Sequence, residues 1–266
     1  MRRHRASPSL PRRATVWLAL ALVFGLLASW PARADDTAKY CTAQADNVVV
    51  YIDRTTNYDD TDKRALVDGV SRIFGSLKGG ERISVRTIVD NFGASTELVD
   101  SCVPFCDSNG LMSLFTGTCT EGVAINDKNH LRDSLVRQLK QMLDNYSELP
   151  YSEILRTIAM TAPTEVRPAR QNRFYLFTDL IENSAYMPGR SFFNDKNPVL
   201  IAKVEADQLI PDLGGAQVAI FGVGRSGKPE RPALEQDLLV KLTDFWKRYF
   251  ALAHATVSIE PSLGGL

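Results

Sequence analysis

Cysteine and histidine are scarce in this sequence of 266 residues, which contains four cysteines and three histidines. Cys102 and Cys106 have the spacing of zinc ligands, but no second close pair of cysteines or histidines accompanies them. His130 and His254 are isolated, so neither is a natural partner for a serine or cysteine nucleophile. The sequence therefore gives no support to a zinc site or to hydrolysis through such a nucleophile.

Long hydrophobic runs are also missing, apart from Val16–Ala28. This run is shorter than the roughly 20 residues of a membrane-spanning helix. It lies in a segment with six arginines and no acidic residue, and Ala32–Ala34 follows it with small residues. That order is typical of a secretory signal peptide. We therefore predict that residues 1–34 are a signal peptide, cleaved near Ala34.

Cleavage would leave residues 35–266 as one exported domain, located in the periplasm or outside the cell. Peripheral membrane association would require the predicted signal peptide to remain uncleaved. The exported part has no excess of positive charge, because 25 basic residues face 31 acidic ones, a net charge of −6. This charge gives no support to nucleic-acid binding.

Strand and helix patterns alternate along the exported part. The first strand is the apolar run Val48–Ile52, which is typical of a strand buried on both faces. A helix joins it to the second strand, which favours parallel pairing, whereas a short turn before the third strand favours an antiparallel hairpin. The predicted class is α/β, a doubly wound and mostly parallel sheet with one antiparallel edge strand and helices on both faces. The predicted strands are 48–52, 82–89, 95–103, 174–177, 217–221 and 255–259, and the predicted helices are 60–77, 131–143, 152–159, 202–213 and 234–252.

All four cysteines lie in the exported part, and an even number outside the cytoplasm favours two disulfides. Three pairings are open to four cysteines. Cys41 precedes the first strand and Cys102 ends the antiparallel third strand, so both are expected at the same edge of the sheet. We predict the pair Cys41–Cys102, and with it Cys106–Cys119, which would close an irregular insertion at about residues 103–130.

Two acidic residues follow buried strands directly. Asp53 ends the first strand, with Thr55 and Asn57 close behind it, and Asp179 follows the fourth strand. Ser152 stands at the predicted N-cap of a helix. Ligands of open α/β sheets bind beyond the carboxyl ends of the strands, and an oxygen-only set suits Mg²⁺ or Ca²⁺ rather than zinc or copper. The alternative is a polar turn that caps the next helix.

The order of these motifs resembles the von Willebrand factor A (vWA) domain. Its metal-ion-dependent adhesion site has D-x-S-x-S after the first strand, a Thr or Ser opening a later helix, and an Asp after the fourth strand. The counterparts are Asp53-Arg-Thr55-Thr56-Asn57, Ser152 and Asp179, and Gly222-Val-Gly224 is similar to the turn after the family's fifth strand. The resemblance covers roughly residues 47–259. It implies the doubly wound fold with one antiparallel edge strand.

The resemblance also implies a function for an exported, bacterial-type protein. Asp53, Thr55, Asn57, Ser152 and Asp179 would hold Mg²⁺ or Ca²⁺, and an acidic side chain of a partner protein would complete the coordination. The chain would then be a protein–protein interaction module and not an enzyme. The site is degenerate, because Asn57 replaces a serine and the residue after Asp179 is not the common glycine.

Two other functions remain open. A scaffold with this fold would bind partners without metal. A phosphoryl-transfer hydrolase with an aspartate nucleophile is a third class, but it would want a second aspartate where Thr55 stands. Nucleotide binding is disfavoured. Although Gly222–Lys228 mimics glycine-rich phosphate loops, Pro229 stands where a P-loop has Ser or Thr.

Overall fold

Six strands and six helices form the part of the chain that the computed structural model describes, residues 39–106, 120–145, 149–194, 196–225 and 232–263. The strands are β1 Asn47–Asp53, β2 Arg82–Ile88, β3 Glu97–Cys102, β4 Asn172–Phe177, β5 Gln217–Phe221 and β6 Thr256–Glu260. The helices are α1 Asp60–Ser76, α2 Glu121–Asp144, α3 Ile154–Glu165, the single turn α4 Ser191–Asn194, α5 Asn197–Ala206 and α6 Gln236–Leu252.

The strands form one sheet in the order β3-β2-β1-β4-β5-β6. β3 pairs with β2 in antiparallel fashion, and all other neighbours are parallel. The predicted class, with its single antiparallel edge strand, is confirmed. Because five strands are parallel, their carboxyl ends lie at one edge of the sheet, which we call the carboxyl edge.

β1 lies at the centre of the sheet and is buried along its whole length. Val48, Val50 and Ile52 pack against α1 and α2 on one face, whereas Val49 and Tyr51 pack on the other face, which α3, α5 and α6 cover. Successive side chains of a strand point to opposite faces, so a strand between two helix layers must be apolar at every position. This explains the continuous apolar run that precedes Asp53.

A disulfide joins Cys41 to Cys102, with Cα atoms 5.2 Å apart, in agreement with the prediction. It ties the segment before β1 to the end of the edge strand β3. Such a bond is consistent with an exported protein. The second predicted disulfide includes Cys119, which lies outside the described residues, as does the predicted signal peptide. Within the described ranges, no helix has the length and hydrophobicity to cross a membrane.

Three predicted helices were wrong in their bounds. α2 begins at Glu121 and not at 131, so the last part of the predicted insertion 103–130, from residue 121, is helical. The first turns of α2 bury only Ala124 and therefore give no apolar periodicity. The predicted helix 152–159 is α3, which continues to Glu165, and the predicted helix 202–213 is α5, which runs from Asn197 to Ala206. Pro198 occupies the first turn of α5, where a missing N–H costs nothing.

Candidate functional site

Asp53 is the buried centre of the candidate site. Its side chain is fully buried at the carboxyl end of β1. The backbone N–H and the hydroxyl of Thr55 donate to Asp53 Oδ1 at 2.9 and 2.5 Å. The hydroxyl of Thr178 donates to Asp53 Oδ2 at 2.7 Å. Both carboxylate oxygens are therefore hydrogen-bonded, one by the loop after β1 and one by the residue that follows β4.

Burial raises the pKa of Asp53 above its usual value, and the hydrogen bonds from Thr55 and Thr178 oppose that rise. The buried Thr56 hydroxyl lies close enough to Asp53 to lower the same pKa, although the two groups do not have the geometry of a hydrogen bond. Among the described residues, no basic side chain forms an ion pair with Asp53. The charged form of this carboxylate is thus held by hydroxyls and amides alone, in a place where desolvation penalises charge.

Thr178 connects the carboxyl ends of β1 and β4 through its hydrogen bond to Asp53. It was not among the predicted site residues. Its backbone N–H donates to Phe221 O on β5 at 3.0 Å, and its hydroxyl accepts the Leu180 N–H at 3.0 Å. A hydroxyl directly after a buried apolar run and before an acid was the available signal. Thr178 fixes the position of Asp53 relative to the chain around Asp179.

Asp179 is 5% exposed and follows Thr178 at the carboxyl edge. Its Oδ1 accepts the backbone N–H of Ile181 at 2.9 Å, which folds the chain back in a tight turn. Leu180, between them, has φ of +63°. Asn57 is half-buried in the loop between β1 and α1.

Ser152 lies at the carboxyl edge but is not the N-cap of α3, so that prediction was wrong. The N-cap is Glu153, whose side chain makes no capping hydrogen bond. Ser152 instead pairs with Asn183 through two backbone hydrogen bonds of 2.8 and 3.0 Å. This backbone bridge to the chain after β4 fixes the position of Ser152. The Ser152 hydroxyl is buried and has no hydrogen-bond partner among the described residues.

Glu182 supplies the cap that Ser152 was expected to provide. Its carboxylate is fully buried, and Oε2 accepts the Leu155 N–H in the first turn of α3 at 2.9 Å. Glu182 lies 27 residues away from Leu155 in sequence, so no local pattern pointed to this contact. Burial raises the pKa of Glu182 to about 7, and Glu153 adds to the rise.

The five predicted ligands thus come from three segments that end at the same edge of the sheet. Asp53 and Thr55 are in direct contact, and Thr178, the residue before Asp179, is hydrogen-bonded to Asp53. In the described ranges, no group of three or more His, Cys, Asp or Glu side chains is placed to hold a metal ion. A cation at this edge would therefore depend on two carboxylates and on hydroxyl and amide oxygens. The buried, unpartnered oxygens of Ser152 and Thr56 fit such a site.

No protein-family model and no curated protein matches the sequence. Similar solved structures include a von Willebrand factor type A protein from Catenulispora acidiphila, with 13% identity and a TM-score of 0.40 over 83% of this chain and 39% of that one. The SpRpn10 vWA domain has 12% identity and a TM-score of 0.39, over 83% of this chain and 92% of that domain. Proximal thread matrix protein 1 from the mussel byssus has 14% identity and a TM-score of 0.36, over 81% and 48% of the two chains.

The fold is vWA-like. Its doubly wound sheet with one antiparallel edge strand is the arrangement that the resemblance to vWA domains implied. At such low identities and TM-scores, nothing about ligands or partners is transferred from these proteins.

Proposed function

We propose that this chain is an exported protein–protein interaction module that binds Mg²⁺ or Ca²⁺ at its carboxyl edge. Asp53, Thr55, Asn57, Ser152 and Asp179 would hold the ion, and an acidic side chain of the partner would take a remaining coordination position. The observation that carries the proposal is the Ser152 hydroxyl, which is buried beside the chain after β4 without a hydrogen-bond partner among the described residues. A buried hydroxyl without a partner costs about 1–3 kcal/mol, and a bound cation would remove that cost.

The electrostatics of Asp53 support the same proposal. A fully buried carboxylate without an ion pair is expensive to keep charged, as its raised pKa reflects. A divalent cation supplies the missing positive charge and favours the ionised form. Thr55 and Thr178 would then orient the carboxylate, each through a hydroxyl hydrogen bond.

The composition of the site supports a hard cation. Every predicted ligand offers oxygen, with two carboxylates, two hydroxyls and one amide carbonyl. Asn57 keeps an oxygen donor where the resembling family has serine, so that replacement preserves the chemistry. The two carboxylates leave a net charge of zero once a divalent ion is bound. A partner's carboxylate would then be attracted to the ion and not repelled by excess acid.

The second candidate is a metal-independent scaffold, and one observation favours it. Both oxygens of Asp53 already accept hydrogen bonds from Thr55 and Thr178. With its pKa raised by burial, Asp53 in the protonated state would complete the site without any ion. The hydrolase alternative has less support, because a fully buried Asp53 is poorly placed to attack a substrate.

Unfolding of the full-length protein in the presence of cations tests the proposal. A ligand at 100 times its Kd adds about 2.7 kcal/mol of stability. Since 1 kcal/mol raises Tm by about 2–4 °C in a domain of this size, saturating Mg²⁺ or Ca²⁺ should raise Tm by roughly 5–10 °C relative to EDTA. The shift should be lost in Asp179→Asn, whose amide oxygen can still accept the Ile181 N–H.

Asp133→Asn is the matched control, because it removes the same charge from an exposed side chain on α2. This variant should respond to cations as the wild type does. If the wild type shows no shift at millimolar Mg²⁺ and Ca²⁺, the cation is excluded and the metal-independent scaffold becomes the better description. A shift that persists in Asp179→Asn places the ion elsewhere.

A further inference from the structure

Glu182 is a buried acidic side chain that the proposed cation site does not use. It is fully buried, and its Oε2 accepts the Leu155 N–H. Oε1 has no hydrogen-bond partner among the described residues. Buried polar atoms without partners are rare in folded proteins, and each one calls for an explanation.

No basic side chain in the described ranges forms an ion pair with Glu182. Glu153, which precedes α3, raises the pKa of Glu182 by like-charge repulsion. Burial raises the pKa of Tyr186, in the same loop, and of Tyr249 on α6, and the negative charge of Glu182 adds to both rises. Arg156 on α3 pairs with Glu153 at 3.6 Å. The Ser184 side chain and the backbone N–H groups of Leu155 and Ile154 favour the ionised form of Glu182, but burial outweighs them.

Glu182 also holds a loop in place. We call residues 179–187, between β4 and α4, the β4 loop. Its Glu182 carboxylate docks on the first turn of α3, and its Asn183 pairs with Ser152. On the opposite side, Trp246 Nε1 on α6 donates to the Leu180 carbonyl at 2.9 Å. The β4 loop is thus clamped between α3 and α6, and Glu182 provides the side-chain contact of the clamp on the α3 side.

We propose that Glu182 is a proton-controlled clamp, which docks the β4 loop on α3 when neutral and loosens it when ionised. The neutral carboxyl suits its buried place, whereas ionisation puts a second negative charge beside Glu153, and no basic side chain among the described residues pairs with Glu182. The raised pKa, about 7, sets the range in which this change occurs. Because the β4 loop begins at Asp179, the clamp would control the order of one side of the carboxyl edge. The device operates whether or not a cation binds there.

The direction of the pH dependence follows from the raised pKa. The contribution of Glu182 to stability is fully present below about pH 4.5, its pKa in the unfolded chain, and is lost as the pH rises through about 7. The β4 loop should therefore be better ordered at pH 5.5 than at pH 8.5. A group with a lowered pKa would show the opposite order.

Trp246 reports on the clamp, because its indole N–H is bonded to Leu180 in the β4 loop. In full-length protein with EDTA, the ¹⁵N–¹H resonance of the Trp246 indole should move between pH 5.5 and 8.5 with a midpoint near 7. Glu182→Gln should abolish the transition. Glu153→Gln should keep it but lower its midpoint, since Glu153 raises the pKa of Glu182.

His254 is the group most easily confused with Glu182, because it lies two residues beyond the end of α6, which carries Trp246. His254→Asn is the control, since asparagine tolerates the positive φ of +54° at that position. The transition should persist in this variant. A transition that survives in Glu182→Gln or vanishes in His254→Asn overturns the proposal. If Glu182→Gln does not fold, the carboxyl ¹³C resonance of Glu182 in wild-type protein decides between a midpoint near 7, as proposed, and one near 4.5, which overturns it.

Discussion

Leu180 occupies a backbone conformation that leucine rarely adopts. Its φ of +63° lies in the left-handed region, which costs a residue with a Cβ roughly 1–2 kcal/mol. Three contacts hold it there: its N–H donates to Thr178, its carbonyl accepts from Trp246, and its side chain is fully buried. Here, apolar burial offsets the strain.

Two truncations of Leu180 separate the strain from the burial. Both remove the buried side chain and should destabilise the protein by about 2–5 kcal/mol. Leu180→Gly should nevertheless be more stable than Leu180→Ala by about 1 kcal/mol, because glycine adopts positive φ without strain. Urea unfolding at constant pH measures the difference.

The control is the same pair of substitutions at Leu176, which is buried in β4 with ordinary strand geometry. There, alanine should be the more stable residue, because glycine weakens a strand. If alanine is also the better residue at position 180, the strain argument is wrong.

The residues of the candidate site differ in how far the sequence could reveal them. Asp53 and Asp179 were found because an acid directly after an apolar run is a local signal. The prediction that Ser152 is an N-cap was wrong. The side chain that accepts a backbone N–H in the first turn of α3 is Glu182, which lies 27 residues from Leu155 in sequence. Thr178 was missed for a similar reason, since its contact with Asp53 joins residues 125 apart. Contacts between distant segments leave no periodic pattern.

At the scale of elements, α1 has two glycines with opposite surroundings. A Cβ at Gly69 would lie 3.1 Å from the ring of Phe177 on β4, so this glycine permits α1 to approach the sheet closely. A Cβ at Gly75, in the last turn, would meet no atom within 4 Å. The same residue type thus serves packing at one position and lowers helix stability at the other.

Alanine substitutions in α1 should therefore have opposite signs. Gly75→Ala should stabilise the protein by about 0.5–1 kcal/mol, which is the usual advantage of alanine over glycine in a helix. Gly69→Ala should lose that advantage and destabilise the protein by about 1–3 kcal/mol, since overpacking forces Phe177 or the helix to move. Thermal unfolding of the two variants gives the comparison. Equal stabilisation by both would show that α1 is not tightly packed against β4.

Helices with an apolar stripe were predicted well, and helices without one were not. The observed α1, Asp60–Ser76, differs from the prediction by one residue at its end. The prediction was accurate because the buried side chains of α1 recur at helical spacing. The first turns of α2 expose Val123 and Ile125 and bury little, so only its second half was recognised. The early start of α5 was hidden by Pro198. In these cases tertiary packing and helix-end geometry, not periodicity, decide the bounds.

At the scale of the whole molecule, the order of the strands brings the candidate site together. β1 and β4 are neighbours in the sheet although more than a hundred residues separate them. Parallel pairing of the two strands sets Asp53 and Thr178 side by side, and the crossovers around them place helices on both faces. The fold class followed from the alternation of strands and helices, whereas the register between β1 and β4 had to come from the structure.

The central claim is that this arrangement holds a divalent cation. Its most direct test is a crystal of the protein grown with Mn²⁺ in place of Mg²⁺ and measured at a wavelength where manganese scatters anomalously. We expect a single strong anomalous peak at the carboxyl edge, among the oxygens of Asp53, Thr55, Asn57, Ser152 and Asp179. A crystal saturated with Mn²⁺ that shows no peak there, with the hydroxyls of Thr55 and Thr178 still bonded to Asp53, would contradict it.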